Sequence, residues 1–96
     1  MFDVVIFKYP NRKLYNQAES VYISGTKLLE LVRSGKKIQI VEKKTGKVVT
    51  GPVLAKALLD ESEDQFYSQE SVKLLERIIR DGGFENFSKK LLYELS

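Results

Sequence analysis

The sequence predicts an α+β protein: small β-hairpin units with interleaved helices, in the order β-β-β-α-β-β-α, followed by a C-terminal helical pair. Three observations carry this. Short β-branched or aromatic runs at residues 4–7, 21–23 and 38–41 stand between turn-forming residues. Apolar side chains at helical spacing occupy 28–32, 53–58, 72–79 and 84–95. Glycine, proline and asparagine fall at the joins.

The first strand is Val4, Val5, Ile6 and Phe7, continued by Lys8 and Tyr9. Pro10 removes an amide donor and Asn11 favours a turn, so the strand stops there. Arg12, Lys13, Leu14 and Tyr15 alternate basic and apolar. With Val21, Tyr22 and Ile23 they predict a hairpin across a loop at 16–20. Ser24 is suited to cap a helix carrying Leu28, Leu29, Leu31 and Val32, and Gly35 to end it. Residues 38–41 and 48–49 predict a second hairpin around the turn Lys44-Thr45-Gly46-Lys47. Thr50, Gly51 and Pro52 mark a helix start whose expected buried face is Val53, Leu54, Ala57 and Leu58. The acidic run at 60–64 breaks the pattern, and a linker or loop is expected over 60–67. Ser68 caps the next helix, Gly82-Gly83 stops it, and a last amphipathic helix follows.

The expected organisation is therefore a basic α+β domain at 1–59, the acidic linker, and a helical extension at 68–96. The 96 residues carry a net charge of +3, but it is unevenly placed. Residues 1–56 hold eleven Lys or Arg against four Asp or Glu, a net +7; residues 57–96 hold five against nine, a net −4. A basic front with an acidic rear suits a polyanion-binding module joined to an interaction segment.

The chain has no cysteine and no histidine. Disulfides, thiolate chemistry, zinc held by Cys or His, and imidazole-based catalysis are excluded. No metal or other cofactor is expected. The N-terminal apolar run is too short for a signal peptide, and no stretch approaches the roughly 18–20 apolar residues that span a bilayer. A cytoplasmic, nucleoid-associated protein that does not enter the membrane is expected.

Enzyme motifs are fragmentary. Ser24-Gly25-Thr26-Lys27 matches S-x-x-K and Lys44-Thr45-Gly46 matches K-T-G, but the S-D-N element is missing and the chain is too short for that fold. A helix cap and a hairpin turn account for both. Phosphate-cradling glycine motifs are absent, and the acidic run lacks calcium-loop spacing. The chain is not expected to be an enzyme.

The basic clusters are more informative. Lys8, Arg12 and Lys13 surround the first turn, Lys36 and Lys37 follow the first helix, and Lys43, Lys44 and Lys47 surround the second turn. Such residues hold phosphates, while Asn11 and Arg12 have the side chains suited to base edges. Tyr9 and Tyr15 are candidates for stacking or sugar contact. From residues alone, a DNA-binding surface and an ordinary solvated basic surface both remain open. In the helical extension, Val72, Leu75 and Ile79 form one stripe and Phe84, Phe87, Leu91, Leu92 and Leu95 another. These stripes must be covered, by packing back on the β domain, by a homodimer partner or by another protein.

The stretches KYPNRKLYN, VYI, LLELVRSGK and KTGKVVT closely resemble the DNA-binding N-terminal domain of polyhydroxyalkanoate accumulation regulators, with matching order over about 6–59 and looser similarity at 74–93. The resemblance implies a bacterial DNA-binding transcriptional regulator, a repressor of granule-associated genes; a homodimer is expected from the helical stripes, because one small domain alone offers weak affinity. Asn16-Gln17 stands where the family has Asp-Thr, and Ser24 to Lys27 replaces a T-L-E-D capping box. Other readings from the same residues are an adaptor that binds a protein or polymer granule through the C-terminal helices, and a non-specific nucleic-acid binder.

Overall fold

The structure is a computed structural model and describes residues 1–95, without the side chain of Leu95. It is mixed α+β, as expected. In chain order it contains β1 (Val4–Lys8), β2 (Leu14–Asn16), β3 (Val21–Ile23), α1 (Gly25–Arg33), β4 (Ile38–Glu42), α2 (Thr50–Ser62), a 3-10 turn (Glu63–Tyr67), α3 (Gln69–Arg80) and α4 (Phe84–Leu95). The chain divides into two compact units, one spanning Met1–Glu61 and one beginning at Ser62. Among the described residues no helix is long and apolar enough to cross a membrane.

The first unit contains one four-stranded sheet in the order β3-β2-β1-β4. β1 pairs antiparallel with β2, with Phe7 opposite Tyr15, and β2 with β3, with Tyr15 opposite Tyr22. β4 returns through α1 and pairs parallel with β1 from Val4 opposite Ile38 to Lys8 opposite Glu42. The expected second hairpin is thus reduced to a single bridge, Val41 opposite Val48. The physical reason lies in the next residues. Only Val48 and Val49 separate the turn from α2, too few for a strand, while the apolar β1 offers β4 a full-length partner. The return segment still protects the free edge of β4. Val49 N–H donates to the Ile40 carbonyl at 2.8 Å, and Ile40 N–H donates to Thr50 Oγ1 at 2.9 Å.

Strand alternation sends Ile6, Leu14, Ile38 and Ile40 to one face, where they bury with Leu28 of α1. Leu31, Val53, Leu54 and Ala57 pack against this cluster. Leu58 does not join them. It is 52 % exposed, because α2 turns only its 53, 54 and 57 stripe to the sheet. Ser24 caps α1 as expected, its Oγ accepting from Lys27 N–H at 3.0 Å. Gly35 sits at φ 88 beyond the end of α1. Gly35 N–H donates to Val32 O and Lys36 N–H to Leu31 O, which satisfies the last carbonyls. The Asn16 side chain is buried, and its Oδ1 accepts from Glu19 N–H at 3.4 Å to shape the 17–20 loop.

The stretch 60–67, expected as linker or loop, is helical. α2 continues to Ser62 and the 3-10 turn takes Glu63–Tyr67. Ion pairs hold the last turns of α2: Lys56 to Asp60 at 3.6 Å within the helix, and Arg33 of α1 to Glu61 at 2.6 Å. The hydrogen bond from Arg33 holds the Glu61 carboxyl below the ordinary carboxylate range, with the guanidinium charge adding to the effect. A depressed folded pKa contributes stability above the unfolded value, and that contribution disappears as pH falls through the folded value. Glu61→Gln is therefore expected to lower the melting temperature at pH 7 and to converge with the parent as the pH falls below the ordinary carboxylate range. A constant gap between the two melting curves across that range would contradict the role of the ion pair.

In the second unit, Ser68 caps α3 through Ser71 N–H at 3.1 Å, and Gly82 at φ 95 ends it with the same carbonyl-satisfying pattern as α1. α3 and α4 are in contact, yet no side chain from 62 to 94 is buried. Val72, Leu75, Ile79, Phe84, Leu91 and Leu92 are exposed, with Ile79 at 73 %, and Phe87 is half-buried. Leu95 lies in α4, but its side chain falls outside the described residues.

Candidate nucleic-acid interface

Because β1 and β4 run parallel, their C-terminal ends bring two basic turns to the same end of the sheet. Lys43 N–H donates to Lys8 O at 2.9 Å and joins them. The third cluster, Lys36 and Lys37, lies at the opposite end, where Lys37 O accepts from Asp3 and Val4 N–H. A five-residue strand spans about 13 Å, so these lysines stand apart from the other two clusters.

The first turn is a three-residue loop, Pro10-Asn11-Arg12. Arg12 N–H donates to Tyr9 O at 2.9 Å, and Tyr9 N–H to Lys13 O at 3.0 Å. Proline presets the first loop position. Asn11 Oδ1 accepts from Lys13 N–H at 3.1 Å, so the amide oxygen that would read adenine is already engaged in the turn. Arg12 has φ 69, in the left-handed region usually given to glycine. An arginine there carries a backbone cost of about 1–2 kcal/mol.

The second turn is closed by Glu42 N–H to Lys47 O and Gly46 N–H to Glu42 O, both 2.8 Å. Gly46 takes φ 76, and Thr45 Oγ1 donates to the Glu42 carboxylate at 2.8 Å. Lys43, Lys44 and Lys47 stay exposed on it.

Most of the cations without a carboxylate partner gather at this end. Lys27, Arg33, Lys56, Arg77, Arg80, Lys89 and Lys90 all have carboxylate partners. Among the described residues, Lys8, Arg12, Lys13, Lys43, Lys44 and Lys47 have none, and neither do Lys36, Lys37 and Lys73. Six unneutralised cations at one end of a small sheet form a site of attraction for a polyanion. Lys8 and Arg12 also line a groove of about 510 Å³ together with Leu14, Val53, Ala57 and the Lys56–Asp60 ion pair. Lys56 had no signal in the sequence beyond that of a solvated helix face. Tyr9 and Tyr15 are half-buried and packed edge-on, centroids 6.2 Å apart, on the sheet face away from α1 and α2.

Residues 5–65 match the family model described as the PHB/PHA accumulation regulator DNA-binding domain. The chain belongs to that family. From residue 5 onward its sheet, both basic turns and the groove fall inside the matched segment. An uncharacterized protein of Allochromatium vinosum is 33 % identical over 76 residues, covering 79 % of this chain and 49 % of the relative. The chain thus spans about half the length of that relative. No solved structure matches it.

Proposed function

We propose that this PHB/PHA accumulation regulator domain binds a specific operator as a homodimer and acts as a transcriptional repressor in the bacterial cytoplasm, at the nucleoid. The observation that carries the reading is the set of unpaired cations around two adjoining turns, with Arg12 held in a left-handed conformation at the tip of one. The tip of a two-stranded ribbon fits the DNA major groove, and an arginine there can pair with guanine O6 and N7. Lys43, Lys44 and Lys47 would hold phosphates beside it, and Lys8 would hold one from the groove. The exposed stripes of α3 and α4 would join two copies, and two copies would read two half-sites.

The test is fluorescence anisotropy with duplex from the region upstream of the protein's own gene and with random duplex, across a salt series. A preference of about a thousandfold is expected for the upstream duplex. Lys44→Ala should weaken both duplexes alike and reduce the salt slope by about 0.9. Binding that vanishes by about 200 mM salt without preference would contradict a specific regulator.

A further inference from the structure

Alternation places Val5, Phe7, Tyr15, Tyr22, Gln39 and Val41 on the sheet face opposite the core, with Tyr9 continuing the row beyond β1. Neither α1 nor α2 packs on this face, since both contribute to the cluster on the other side. It is aromatic and apolar on three adjoining strands. Tyr15 and Tyr22 have ring centroids 5.1 Å apart, and Tyr9 lies 6.5 Å from Tyr22. Tyr22 is 60 % exposed. Two of the unpaired cations reach over the rings: Lys13 Nζ lies 5.5 Å from the Tyr22 centroid, and Lys43 Nζ 4.5 Å from that of Phe7.

We propose that this face is a stacking platform for single-stranded nucleic acid, with unpaired bases on Tyr22 and its neighbours and phosphates on Lys13 and Lys43. The charge pattern selects this occupant. No strand residue of the face is a carboxylate, and both lysines at its rim lack acidic partners. A second copy laid on it by two-fold symmetry would bring the same uncompensated lysines into the interface, where like charges disfavour association. A polyanion neutralises them. Duplex DNA keeps its base faces stacked inside the helix, whereas a single strand offers them to aromatic side chains. The platform is therefore distinct from the turn-tip duplex site, although Lys13 and Lys43 border both.

The full chain lacks tryptophan, and three of its five tyrosines lie in this cluster, so tyrosine emission reports directly on stacking. Labelled oligo-dT, oligo-rU and an abasic strand of equal length would be titrated at fixed low salt. Both base-bearing strands should bind and quench tyrosine emission, with the abasic strand at least about tenfold weaker. The ratio of dT to rU decides which natural strand is preferred. Tyr22→Thr keeps a strand-favouring residue and should weaken the base-bearing strands roughly ten- to hundredfold while duplex binding changes less than about twofold. Tyr22→Phe should restore them. Arg12→Ala should do the reverse, harming duplex preference and sparing single strands. Equal affinity for the abasic strand, no quenching at saturation, or an unaffected Tyr22→Thr variant would overturn the proposal without touching the duplex reading.

Discussion

Arg12→Gly is expected to stabilise the domain and to impair its recognition of DNA. Glycine occupies φ 69 without the Cβ clash that arginine bears. Part of that gain is offset by the larger entropy glycine loses on folding, so a net rise of about 0.5–1 kcal/mol is anticipated. For a unit of this size that is a rise in melting temperature of about 2–8 °C. Among the described residues the Arg12 side chain has no ion pair to lose. On DNA the sign reverses. A lost arginine–guanine pair costs about 1–3 kcal/mol of discrimination, so preference for the upstream duplex should fall roughly ten- to hundredfold. Random duplex should weaken by no more than one phosphate contact. A more stable, less selective protein would mean that the strained position is kept for function. Equal losses on both duplexes would remove Arg12 from base reading and leave it as one more phosphate contact.

That strain could not be read from the sequence, although the turn that contains it could. Pro10 and Asn11 announce a loop, but only the three-residue closure between Tyr9 and Lys13 puts Arg12 in the left-handed position. Local punctuation was legible because it depends on single residues: Ser24 as cap, Gly35 and Gly82 as helix ends, Gly46 in its turn. Pairing was not legible in the same way. The run at 38–41 signals a strand but carries no statement of its neighbour, and the nearest run, at 48–49, was the natural choice. Its actual neighbour, β1, is more than thirty positions away.

That single pairing decides the candidate site. Parallel alignment of β1 and β4 unites the 8–13 and 43–47 clusters and removes Lys36 and Lys37 to the other end. The aromatic platform was hidden for a related reason. Val4 to Phe7 is apolar at every position, so the run gives no sign that alternate residues face different surroundings. The register of β2 and β3 supplies that sign, by placing Tyr15 and Tyr22 beside Phe7.

Ile79→Glu is expected to turn a dimer into a monomer and to cost far more DNA affinity than any single contact residue. Ile79 is 73 % exposed on α3, in line with Val72 and Leu75, and Leu92 on α4 is 66 % exposed. Of its charged neighbours, Arg80 pairs with Glu76 and Arg77 with Asp81, both at 3.2 Å. Each large apolar side chain that passes from water into an interface contributes about 1.5–3 kcal/mol, whereas an exposed position in a lone chain contributes almost nothing. The substitution should therefore leave the melting of a monomer unchanged while it places two carboxylates in the dimer contact. Two linked domains reading two half-sites gain roughly 10²–10⁴ over one domain. Light scattering at micromolar concentration should show the mass halved, and anisotropy should show that loss on a two-site duplex. Binding to a single half-site should stay the same. If the parent chain is already monomeric and its two-site binding is indifferent to Ile79→Glu, the homodimer is wrong. The stripe would then be open to a different protein, and specificity would have to come from one domain's turns alone.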